Sequence, residues 1–215
     1  MGIDFILLER IIPLFARASL TTLTIAFFAT VIGLLGGIVL ALAQRSTHSF
    51  FRYPASLYIS IIRGTPMIVQ IIFLYYVLNL PVAPIVIAIL AIGMNSAAYI
   101  SQTIKTGIQA IHKGEIEAAY VMGFSKTQIT QYIILPQAFR AIFPSLGNEF
   151  VTLIKDSSLA YIIGVHEIFK ESRNLLSTTY DVVTVYAAVT LFYFAITTII
   201  TLLLEEYEKK MERSC

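Results

Sequence analysis

The stretch Lys113–Pro136, KGEIEAAYVMGFSKTQITQYIILP, is a polar island set between long apolar runs. Gly114 to Met122 reads as a short helix with Glu115 and Glu117 in its early turns, where the helix dipole favours a carboxylate. Gly123 supplies a stop, and Ser125-Lys126-Thr127-Gln128 fits a capping box that starts a second helix at once. Pro136 is expected to end the run from Thr127 to Leu135. The spacing predicts a helix, turn, helix elbow. Ala118 and Ala119 leave a smooth surface beside Glu117, so the elbow is expected to slot into a groove on another protein and move as a rigid body.

Outward from this island the chain is hydrophobic. Of its 215 residues 57% are hydrophobic and 13% charged, which is the composition of an integral membrane protein. The start, MGIDFILLER, carries Asp4 and Glu9 before Arg10 and lacks the basic region of a cleaved signal, so it is expected to be retained. Cys215 is the single cysteine, which excludes an internal disulfide. A net charge of +2 with scattered basic residues argues against a nucleic-acid surface.

A span needs about 20 mostly apolar residues, and five segments qualify, at about 18 to 43, 55 to 80, 84 to 110, 141 to 164 and 183 to 204. Arg45, Arg52, Lys105, Lys113, Lys126, Arg140, Lys209, Lys210 and Arg213 fall on one side, against Arg10, Arg17, Lys170 and Arg173 on the other. The positive-inside rule then puts the N-terminus outside and both the elbow and the C-terminus in the cytoplasm. Gly33-Leu34-Leu35-Gly36-Gly37 permits close helix approach in the first span. Pro81 and Pro84 mark an outside turn, and Arg63-Gly64-Thr65-Pro66 is expected to break the second span.

Two spans carry polar stripes. Ser145, Asn148, Glu149, Thr152, Lys155 and Asp156 recur at helical spacing in the fourth, and Asn95, Tyr99, Gln102 and Thr106 in the third. A charge at mid-span costs about 2.5 to 3.5 kcal/mol on insertion scales, so these faces should line an aqueous cavity or a partner, not lipid. Two readings of Glu149 stand, a carboxylate aimed at a substrate ammonium or guanidinium, or a structural ion pair with Lys155 or Arg63. Arg63 is open between attracting a substrate carboxylate, bracing a gate and pairing with a cavity acid, and Lys155-Asp156 between gating and mutual neutralisation. No metal spacing joins His48, His112 and His166, and no Ser-His or His-Glu-x-x-His constellation appears.

Glu117-Ala118-Ala119, then Gly123, then Ile133 and Leu135-Pro136 resembles the signature of the permease subunits of bacterial ATP-binding-cassette (ABC) importers. Arg63 to Pro66, Asn95 to Tyr99, Leu135 to Ala138 and Leu153 to Leu159 resemble the polar amino-acid branch, and the likeness covers nearly the whole chain. The resemblance implies that Glu117, Ala118, Ala119, Gly123, Leu135 and Pro136 couple the chain to ABC ATPase subunits. It further implies a second permease chain, identical or not, and an external solute-binding protein that docks on the outside loops, including His166 to Asp181. It also implies substrate contacts at Glu149, where the basic amino-acid permeases carry an acid, and at Asn95, with Ser96, Tyr99, Thr152, Arg63 and Asp156 nearby. Gln102 and Lys105 depart from the family's more usual acid and arginine. The chain has no G-x-x-x-x-G-K-[ST] loop, so ATP and Mg belong to the partner and no cofactor is expected here.

The expected fold is an all-α integral membrane protein of about five transmembrane helices with a cytoplasmic coupling-helix elbow. It forms one permease domain over 1–215, with a coupling region at about 111–139. The expected function is a non-enzymatic subunit in the bacterial inner membrane, importing polar amino acids, basic ones foremost, by alternating access. A glutamine or neutral-polar importer and an ion-coupled secondary transporter are the rivals.

Overall fold

The computed structural model describes residues 3–213, with side chains to residue 211, so Cys215 lies outside the described residues. Among the described residues nine helices follow one another: α1 Phe5–Arg45, α2 Ser49–Gly64, α3 Met67–Ile72, α4 Pro84–Gln109, α5 Lys113–Val121, α6 Lys126–Ile129, α7 Leu135–Asp156, α8 Ile168–Thr179 and α9 Val182–Arg213. A π turn, Phe73–Val77, prolongs α3; another, Thr130–Ile134, joins α6 to α7; and a 3-10 stretch, Ser157–Ile163, extends α7. The fold is all-α. Three helices, α1, α4 and α9, are long and apolar enough to cross a membrane. The pair α2 with α3 qualifies as one broken span, bent by 110°. The polar α7 does not meet that test alone, although it occupies the segment expected as the fourth span.

The core is the face shared by α1 and α4. Small residues on both sides, Ala26, Ala29 and Gly33 against Ala88, Ala91 and Ser96, are buried and let the two backbones approach. A Cβ on Gly37 would stand 2.6 Å from Ile100 Cγ2, so the glycine pair expected to allow close approach is used for it. Ile25, Ile71, Ile92, Leu153 and Ile154 fill the centre of the bundle. A second cluster near the N-terminal end of α1 joins Ile11 and Phe15 to Ile168 of α8 and Val185 and Val189 of α9.

The first helix extends beyond the span expected at about 18 to 43. It starts at Phe5, where Asp4 caps it by accepting from the N–H groups of Ile6 (2.9 Å) and Leu7 (3.1 Å). Apolar packing of Ile11 and Phe15 then carries it on without interruption. Arg10 and Arg17 therefore sit on α1 itself, ahead of the expected span. At 41 residues α1 is about 60 Å long, roughly twice the hydrocarbon thickness. Its N-terminal end is tied down by the Asp4 N–H, which donates to Thr184 Oγ1 at 2.9 Å, and by an edge-to-face contact of Phe15 with Phe192 at 5.4 Å.

Candidate functional site

Two short helices, α5 and α6, meet at a glycine turn in this segment. Gly123 has φ +84°, its N–H donates to Tyr120 O, and the Phe124 N–H reaches back to Ala119 O at 3.1 Å, a left-handed helix stop. Two residues on, the Ser125 N–H donates to Gln128 Oε1 at 2.9 Å and the capping box is complete. Gln137 Nε2 donates to Glu115 Oε2 at 2.6 Å and fastens the base of α7 to α5. Glu117 and Ala118 are exposed, as are Val121 at 89% and Met122 at 68%. Ala119 corrects the reading of a smooth outer surface: it is fully buried and belongs to the inside of the elbow. Pro136 also departs from expectation. It does not end a helix but sits in the first turn of α7, where a missing N–H is tolerated, and the π turn before it absorbs the lost register.

In the bundle, α2, α4 and α7 enclose a cavity of about 390 Å³. Arg63 enters it from the end of α2, Tyr99, Gln102, Thr103 and Thr106 from α4, and Ser145 and Glu149 from α7. Among the described residues Glu149 is the one carboxylate on its wall. From Arg10 to Gly114 the sequence holds no acid at all, so α2 and α4 bring only cations and neutral groups to the cavity. Ser96, itself fully buried, donates from Oγ to Glu149 Oε1 at 2.7 Å. The Arg63 guanidinium lies over the Tyr99 ring, 5.3 Å from its centroid. Among the described residues Glu149 makes no salt bridge, neither with Lys155 nor with Arg63.

The stripes expected from spacing divide. Tyr99, Gln102 and Thr106 reach the cavity, but Asn95 is 6% exposed and turns to Gln70, donating from Nδ2 to Oε1 at 2.9 Å. On α7, Ser145 and Glu149 face the cavity, whereas Asn148 lines a separate cleft with Thr201, Glu205 and Glu208 of α9. Thr152 spends its hydroxyl on Asn148 O at 2.9 Å, and Asp156 ends α7 outside the cavity. Gln70 was not anticipated. The signal was there: a lone amide in MIVQIIF, four residues past Pro66, must find polar partners where a helix is broken in an apolar setting.

The break is as expected, with α2 ending at Gly64 and α3 beginning at Met67. Outside the spans one more acid is buried. Glu167 caps α8, accepting from the N–H of Lys170 (2.7 Å) and Phe169 (2.8 Å) and from Tyr193 Oη (2.9 Å). Burial pushes its carboxyl up from 4.5 to about 7, against the pull of those three donors.

Residues 33–213 match the family described as the binding-protein-dependent transport system inner membrane component. The glutamine transport system permease protein of Escherichia coli (strain K12) is 33% identical over 221 residues, covering 99% of each chain. The arginine transport system permease protein of Bacillus subtilis (strain 168) is likewise 33% identical over 216 residues, covering 99% of each. Among solved structures, an amino acid ABC transporter crystallised with histidines has a chain that superposes with a TM-score of 0.92 at 33% identity, covering 98% of this chain and all of that one. An inward-facing methionine ABC transporter, 18% identical with a TM-score of 0.73, shares the fold. The chain thus belongs to the binding-protein-dependent transport system inner membrane component family.

Proposed function

We propose that this permease imports polar amino acids, with basic ones favoured, through the cavity between α2, α4 and α7. The carrying observation is Glu149, oriented by Ser96 at 2.7 Å and alone among carboxylates on a wall that also bears Arg63. A carboxylate in a semi-enclosed site has strong reason to take a cation, and a cargo ammonium or guanidinium answers it, while Arg63 suits the cargo carboxylate. Ser96 orients the acid, and Tyr99 carries the cation–π contact that steadies Arg63. Asn95, Thr152 and Asp156 have weaker support as contacts, because none of them lines the cavity.

The energy comes from separate ABC ATPase subunits, which bind the ATP and Mg that this chain has no loop to hold. They engage the elbow through Glu117, Ala118 and the exposed Val121 and Met122, while Gly123, Leu135 and Pro136 shape it. The single permease domain, with its coupling region over 111–139, works beside a second permease chain and receives cargo from an external solute-binding protein. It lies in the inner membrane with its N-terminus outside and its C-terminus in the cytoplasm, as the Lys and Arg distribution supports. A glutamine importer is the second reading, favoured by the amide and hydroxyls of Gln102, Thr103 and Thr106 and by the named cargo of the Escherichia coli relative.

Uptake of labelled arginine into vesicles holding the complete transporter, with lysine, histidine, glutamine and glutamate as competitors, tests this for wild type and Glu149→Gln. Competition by lysine and histidine with loss of uptake in the variant supports the basic cargo. Competition mainly by glutamine, with uptake untouched by the substitution, moves the reading to a neutral cargo.

A further inference from the structure

A helix that stops in the middle of an apolar segment leaves its last carbonyls without intrahelical donors. At the end of α2 the next residue but one is Pro66, which has no N–H to offer. Thr65 Oγ1 takes Ile61 O at 2.9 Å. Two further carbonyls are met by one side chain: Gln70 Nε2 stands 2.8 Å from Ile62 O, 3.1 Å from Thr65 O and 2.8 Å from Thr65 Oγ1. Gln70 is 8% exposed, and its Oε1 is held by Asn95 Nδ2 at 2.9 Å. The amide on α3 thus supplies donors to Ile62 O and Thr65 O across the break and is itself oriented from α4.

The same turn of α4 carries the two ends of the cavity. Asn95 holds Gln70, Ser96 holds Glu149, and Tyr99, one turn beyond Asn95, lies under the Arg63 guanidinium. Arg63 is the penultimate residue of α2, so its place in the cavity is set by where that helix ends and how the span bends. We propose that Gln70 and Asn95 form a clamp that fixes the bend between α2 and α3 and thereby positions Arg63 against Tyr99 at a set height relative to Glu149. The proposal rests on the reading of that cavity as the cargo site. Neither amide lines the cavity, and in this proposal both are positioning residues acting through Arg63.

The clamp makes a claim that a generally structural role does not. Its effect on cargo must vanish when Arg63 is gone. In vesicles with the complete transporter, Gln70→Leu is expected to raise the KM for arginine about tenfold, the cost of one well-made buried hydrogen bond, with a smaller change in kcat. In an Arg63→Ala background the same substitution should change KM little further. Additive effects of Gln70→Leu and Arg63→Ala would overturn the proposal. A second measurement stands apart from transport: the distance between spin labels at Leu57 and Phe73, 62% and 52% exposed on either side of the bend, in a Cys215→Ser background. Gln70→Leu, or Asn95→Leu should the former yield no protein, is expected to broaden that distribution, and an unchanged one would overturn the clamp. Wild type that takes up no arginine would sink the cargo reading while the spin-label distances still decide the clamp.

Discussion

Gly33 of α1 and Ser96 of α4 lie so close that a Cβ on the glycine would stand 2.8 Å from the serine Oγ. That Oγ is the atom that holds Glu149, so the acid of the cavity is supported through α4 from α1, a helix that does not line the cavity. Gly33→Val should force either the helices apart or Ser96 away from Glu149. Overpacking of this kind costs about 1–3 kcal/mol. Thermal unfolding in detergent should show a lowered midpoint, and arginine uptake should fall, with Gly33→Ala between wild type and valine.

Ser96→Ala removes the bond while leaving most of the packing. Hydrogen bonds to charged groups contribute about 1.5–3 kcal/mol, so the KM for a basic amino acid should rise about tenfold or more. Uptake kinetics check this. An unaltered KM would mean that Glu149 keeps its orientation without the serine.

Gly123 has φ +84°, with open space around the place where a Cβ would go. Crowding therefore does not forbid a side chain there; the backbone does. A β-branched residue in this region costs about 1–3 kcal/mol, and Gly123→Val should tilt α5 against α6 and reduce recovery of the ATPase with the permease. Co-purification at wild-type yield would place the coupling contact elsewhere.

Glu167 predicts a pH response. Its folded-state pKa lies above the unfolded value, so the folded protein binds the extra proton. That contribution to stability is complete below about pH 4.5 and is lost as the pH rises through about 7. The unfolding midpoint should therefore be higher at about pH 5.5 than at about pH 8. Glu167→Gln, which cannot ionise, should lessen that difference, as parallel thermal scans of the two proteins would show.

The sequence carried the elbow in detail because its signals are local: a glycine that must turn left and a serine facing a glutamine three residues on. The break at Gly64–Pro66 was legible for the same reason, since proline acts on its own backbone. The stripes were less so. Helical spacing put Asn95 and Tyr99 on one face, yet the bend in the second span brings Gln70 over the first of them and leaves the second open to the cavity. Which neighbour arrives at each turn is a tertiary fact that no periodicity holds. The early start of α1 was not legible because Glu9, Arg10 and Arg17 interrupt the apolar run, yet they are exposed residues of a helix anchored by Ile11 and Phe15.

The π turn at Thr130–Ile134 has a consequence for how this permease is built. Such a turn amounts to one residue added to an α-helix, and one residue is about 100° of rotation. The direction in which the elbow points, relative to the cavity on α7, is therefore written as a count of residues and not as their identity. A single deletion there would swing the elbow around the bundle axis like the hand of a clock, with each helix on either side left whole.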